Sequence, residues 1–161
     1  MAGDNAALHD GRRDTIDPLN TYLTDDHARC NGLLRRIEQS VSAARWPDAR
    51  REVTALRDAL ERHLLIEERI GFIEAVLGNV LTHTATMRAE QLRIRHVAQR
   101  LDDAVAGQNA HGFVTQAEAL LLSIPVHGAK AEPVLHPVSG HVSGLGASAI
   151  LGAVNARAIT A

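Results

Sequence analysis

The sequence predicts an all-α chain folded as an antiparallel, up-and-down four-helix bundle, and three observations carry that prediction. Apolar residues recur at alternating steps of three and four in four separate stretches, the spacing of a narrow helical seam that packs on other helices. Turn-forming residues divide those stretches from one another. Aromatic residues make up only 2 % of the 161 residues, so the core is aliphatic, which disfavours a β-sandwich.

The first seam is Leu23, His27, Cys30, Leu34, Ile37 and Val41. Its helix is expected from Pro18 to about Ala44, opened by Asp17 as a carboxylate cap with proline at the first helical position. Trp46-Pro47-Asp48 restarts the chain, and the second seam runs through Val53, Leu56, Leu60, His63, Glu67, Ile70, Glu74 and Leu77 until Gly78-Asn79 closes it. The third helix opens near Thr82 to Thr84 and ends at Gly107, with Thr84, Met87, Gln91, Ile94, Ala98, Leu101 and Val105 on its seam. The fourth starts at Gly112 or Phe113 and carries Phe113, Ala117, Leu120, Ile124, His127, Ala131 and Val134. Pro125, Gly128 and Pro133 fall inside it. An interior proline costs about 3 kcal/mol, so a kink or break is expected close to His127.

Three parts follow: an N-terminal arm over 1–15, the bundle over 16–138, and a tail rich in Gly, Ala and Ser over 139–161. The balance of 17 Lys+Arg against 19 Asp+Glu, without a basic block, argues against a nucleic-acid partner. No run of 18 apolar residues is present, so a membrane span is not expected. The polar first residues lack a hydrophobic leader core, which points to the cytoplasm. The single cysteine, Cys30, excludes a disulfide framework and a cysteine-rich zinc site.

Each of the four seams is interrupted by polar residues, and the interruptions share a height. His27 lies about 17 residues before the first turn and His63 about 16 after it. Glu67 and Gln91 stand about ten and nine residues from the second turn, and Gln91 and His127 about 16 and 17 from the third. At 1.5 Å per residue the offsets agree to roughly one helical turn. Four helices therefore bring polar groups to one level of one core, where burial is costly unless they are paired. A metal ion would pair them. His63 and Glu67, four apart on one face, can reach the same ion.

These features resemble the hemerythrin-like family, also called HHE cation-binding domains. The stretches that carry the resemblance are IDPLNTYLTDDH (16–27), HLLIEERIGF (63–72), MRAEQLRIR (87–95) and HGAKAEPVLHP (127–137). The resemblance implies a non-haem iron site with His27 as the first-helix ligand and His63 and Glu67 as terminal ligand and bridging carboxylate. It further implies His127 as the fourth-helix ligand, with Glu132 as the carboxylate five residues on. Gln91 stands where the family usually offers histidine, after Glu90, and Met87 stands where the full oxygen carriers have a second one. Ala131 occupies the four-residue offset from His127, and Ile73 replaces a proline common in the second-helix signature. An amide oxygen is a poor donor for ferric iron, so Gln91 reads better as a neighbour that donates a hydrogen bond. The set suffices for one ion with open positions and is marginal for two.

The reading is thus a cytoplasmic non-haem iron protein that binds or senses dioxygen, nitric oxide or peroxide, or handles iron. Zinc or manganese would also suit three histidines and a carboxylate. Peroxide removal is compatible with an open redox site, but no residue demands an enzymatic role. The alternative is a bundle that has lost its metal and serves as an interaction or regulatory module, with Gln91, Ala131, Pro125 and Pro133 as its evidence.

Overall fold

The computed structural model describes residues 18–76 and 81–139, together with positions 149 and 152. The expected arm over 1–15 lies outside the described residues, as does the tail apart from Ser139 and those two positions. The elements are α1 (Pro18–Ser42), α2 (Trp46–Val76), α3 (Leu81–Ala106) and α4 (Ala110–Ser139). Successive helices pack on each other, α4 returns against α1, and α2 and α4 meet across the diagonal. This is the antiparallel four-helix bundle that the seams predict.

Among the residues whose side chains are described, the seams face inward. Leu34, Ile37 and Val41 of α1 meet Val53, Leu56 and Leu60 of α2, Ile94, Ala98, Leu101 and Val105 of α3, and Phe113, Leu120 and Ile124 of α4 in one buried cluster. Ala49, Ala59 and Ala104 are buried among them, and such small side chains let helix backbones approach closely. Ion pairs lace the outside of the α2–α3 contact: Arg95 bonds Glu61 at 2.9 and 3.1 Å and Glu68 at 2.9 Å, and Arg57 pairs with Asp102.

Two turns close the same end of the bundle by one device. After α1, the Arg45 amide donates to the Ser40 carbonyl (2.8 Å) and the Ala44 amide to Val41 (3.0 Å). After α3, the Asn109 amide donates to Ala104 (2.8 Å) and the Gln108 amide to Val105 (3.1 Å). Both are Schellman closures, which place one residue in the left-handed region. That residue is Ala44 (φ 53°) in the first and Gln108 (φ 54°) in the second. Gly107, the expected terminator, sits one position before the residue that turns. Asn109 then caps α4, its Oδ1 accepting from the Gly112 amide at 2.9 Å, so α4 begins at Ala110, ahead of the expected start at Gly112 or Phe113.

The expected break in α4 does not occur. The helix is continuous through Pro125, Gly128 and Pro133. A proline removes one backbone bond, whereas Leu120, Ile124, His127 and Ala131 are all buried at helical spacing. Tertiary packing of that face outweighs the local penalty.

Candidate metal centre

Each helix delivers a polar side chain to one layer of the core, well away from the two turns. His63 and Glu67 come from α2, Gln91 from α3 and His127 from α4, and all four are at most 3 % exposed. His27 of α1 is half-buried beside them. The sixth sequence-derived donor, Glu132, follows buried Ala131 on α4, but its side chain lies outside the described residues.

The side chains form one connected chain of contacts. His27 Nε2 lies 3.1 Å from His63 Nε2, and their rings are 4.5 Å apart and tilted by 46°. His63 Nε2 is 3.2 Å from Glu67 Oε1, and His127 Nε2 is 2.6 Å from Glu67 Oε2. The Gln91 amide donates to Glu67 Oε2 at 3.2 Å. Glu67 is therefore the hub, held by three helices.

Two carboxylates absent from the sequence-derived set stand behind the histidines. Asp26, 3 % exposed, places Oδ2 at 3.4 Å from His63 Nδ1, too long for a good hydrogen bond, and neither atom has another partner. Glu90 places Oε2 3.3 Å from His127 Nδ1 and binds Lys130 through its other oxygen. Both histidines thus aim Nε2 at the hub and back Nδ1 with a carboxylate. A metal-bound histidine is oriented in this way, its second nitrogen held by an acid. A signal for Asp26 was present: Leu23, Asp26 and Cys30 also step by three and four, one position round from His27. The resemblance marked Glu90 by its place before Gln91, but its pairing with His127 and Lys130 was not legible, because nothing local brings α3 against α4 at that height.

Charge follows the geometry. Burial alone would push the Glu67 carboxyl up, but hydrogen bonds and positive charge from His127 and His63 hold it down at about 2. Burial would lower His63, yet Asp26 and Glu67 overcome it and raise the imidazole to about 9. His127 is raised in the same sense, burial being overcome by Glu67 and Glu90. His27 moves the other way, lowered by burial and then by the neighbouring His63. Burial, reinforced by Asp26, pushes the Cys30 thiol up to about 12, which keeps it protonated and inert.

The His63 imidazole, held protonated, therefore sets a positive charge against the buried carboxylate at the level where a cation would sit. As placed, no three His, Cys, Asp or Glu side chains among the described residues share a position suited to one ion. The pairwise spacings nevertheless suit one. A metal–nitrogen bond of ~2.1 Å gives donor separations of roughly 3.0 to 3.4 Å between right-angle and tetrahedral geometry. The His27–His63 and His63–Glu67 separations of 3.1 and 3.2 Å fall inside that interval. The 2.6 Å His127–Glu67 contact is that of a charge-assisted hydrogen bond and would have to open. The donor types suit a cation and two of the three spacings match one, while the third, between His127 and Glu67, is a hydrogen-bond distance.

No helix among the described residues is long and apolar enough to cross a membrane. Residues 19–138 match the model of a protein family described as the hemerythrin HHE cation binding domain. No curated protein and no solved structure matches the chain.

Proposed function

This chain belongs to the hemerythrin HHE cation-binding family, and from that premise we propose that its core binds a non-haem metal ion, iron by preference. His27, His63 and His127 would hold the ion, Glu67 would neutralise or bridge it, and Glu132 is the candidate for a further carboxylate. The observation that supports this reading is the backing of His63 and His127 by Asp26 and Glu90, with both Nε2 atoms turned to one carboxylate. When bound, iron supplies redox chemistry and an open coordination position for a small molecule. The protein's part is orientation and exclusion of water. Buried Leu34, Leu60, Ile94 and Ile124 line the core next to the polar layer, and such walls favour a small ligand such as dioxygen, nitric oxide or peroxide over bulk water. A cytoplasmic setting suits the unpaired thiol of Cys30.

Gln91 acts through Glu67 in this reading, donating to the oxygen that His127 shares and so fixing the carboxylate. Metal uptake must displace the proton that His63 holds, so affinity should rise with pH.

One observation favours the alternative, a metal-free bundle acting as a regulatory module. Glu67 already accepts from His127 and Gln91 and pairs with His63, so this carboxylate is partnered without an ion. Anaerobic reconstitution with ferrous iron, followed by metal analysis and an optical spectrum in air, separates the two. Stoichiometric iron with charge-transfer absorption is expected. Absence of iron, with an unchanged melting temperature in chelator, would establish the module instead. Gln91→His should increase loading, because an imidazole replaces an amide beside Glu67. Unchanged loading would place residue 91 outside metal contact.

A further inference from the structure

Gly128 is, by local rules, misplaced. Glycine is the least favourable helix-interior residue after proline, and here it lies between Pro125 and Pro133 in a helix that nevertheless holds. The backbone gives no reason for it: Gly128 is not among the residues in the left-handed region that glycine favours. The reason lies across the bundle. A Cβ built on Gly128 would fall 2.8 Å from Cε1 of the His27 ring and 3.5 Å from both ring nitrogens. A carbon–carbon approach of 2.8 Å is far inside van der Waals contact. By contrast, a Cβ on Gly32 would meet nothing closer than 3.9 Å.

We propose that Gly128 is a positioning residue whose missing side chain seats the His27 imidazole between the α4 backbone and the His63 ring. His27 is held on one side by His63, with Nε2 atoms 3.1 Å apart, and on the other by the bare backbone of Gly128. A methyl group at 128 leaves the ring two ways out. It can be driven into His63, which is 3 % exposed and enclosed between Asp26 and Glu67, or it can swing toward solvent on its half-buried side. The second path is open and the first is not, so the ring leaves the polar layer. The helix itself tolerates the change. The sequence residue that reads as a weakness in α4 is the clearance that allows a first-helix histidine to join a site built mainly on α2 and α4.

The seating of His27 stands on geometry alone; only its effect on metal uptake rests on the function proposed above. The test is a double-mutant cycle of Gly128→Ala with His27→Ala, read by thermal melting in chelator and by ferrous iron titration. With His27 present, Gly128→Ala should lower or fail to raise the melting temperature, shift the His27 imidazole resonances, and weaken iron binding at least tenfold. With His27 replaced by alanine, the same Gly128→Ala change should raise the melting temperature by several degrees, because only helix propensity is left to act. If Gly128→Ala does not fold, recovery of folding in the double variant carries the same meaning, and failure of both variants overturns the proposal. Equal melting shifts in the two backgrounds, with unmoved His27 resonances, also overturn it. If the coupling is found but the unaltered protein binds no iron, the role of Gly128 stands and the metal reading falls.

Discussion

The two halves of the bundle are built on the same four helices with the same spacing, and they behave as different materials. At the end closed by the two turns, Ile37, Val53, Leu56, Leu101, Val105 and Phe113 fill the seams and are at most 1 % exposed. There the packing is aliphatic and its stability comes from area removed from water and from close contact. In the other half the same positions hold His27, His63, Glu67, Gln91 and His127, equally enclosed except for His27. Stability there depends on partners, since each buried polar atom that loses its partner costs its full desolvation. The comparison teaches that the helical repeat specifies burial, while the side chain placed in it decides whether burial is favourable by itself or conditional on charge balance.

Substitution breaks the comparison most sharply. Glu67→Ala removes the hub and leaves His63, His127 and the Gln91 amide without the carboxylate they share. A loss of about 3–5 kcal/mol is expected in denaturant unfolding, together with loss of iron uptake. Phe113→Ala should cost a similar ~3–5 kcal/mol through the cavity it opens. It should leave iron affinity unchanged, because Phe113 lies in the aliphatic half. Loss of iron binding in Phe113→Ala, or its retention in Glu67→Ala, would show that the halves are not separable.

Acidity sharpens the contrast, because only the polar half titrates. His63 is raised from 6.5 to about 9, so its contribution is fully present below pH 6.5 and is lost as pH rises through 9. Raised His127 acts in the same direction. Glu67 is lowered from 4.5 to about 2, so its contribution is present above 4.5 and disappears as pH falls toward 2. Lowered His27 opposes His63 and erodes stability on the acid side of 6.5. Chelated protein should therefore be most stable toward the upper end of the interval between about pH 4.5 and 6.5, and lose on the order of 3 kcal/mol or more by pH 10. Iron affinity should rise over the same alkaline interval. A flat unfolding free energy from pH 6 to 10 would mean that His63 is not held protonated.

The smallest expected effect belongs to the turn end. Gln108 (φ 54°) adopts a conformation that glycine takes without strain. Gln108→Gly should add up to ~1 kcal/mol to stability without changing iron uptake or its pH profile. Ala44→Gly tests the same strain in the first turn.

Much of this molecule was readable one helix at a time. The seams, the first turn and the shared height of His27, His63, Glu67, Gln91 and His127 all follow from counting along single helices. The α4 prolines misled for the same reason: local propensity predicts a break, but it does not include what Leu120, Ile124 and Ala131 gain by packing. Asp26 and Glu90 escaped because their role is lateral. Asp26 sits one residue from His27 yet serves His63, and Glu90 reaches His127 only because α3 and α4 meet at that level.

By itself, the sequence determined which residues face the core and how high on each helix they stand, because a 3.6-residue repeat is a property of a single segment. Only the tertiary structure decided which atoms meet: His63 with Asp26, His127 with Glu90, and the His27 ring against the bare backbone of Gly128. Those contacts depend on the rotation and separation of helices far apart in the chain, which the packing of the whole bundle sets.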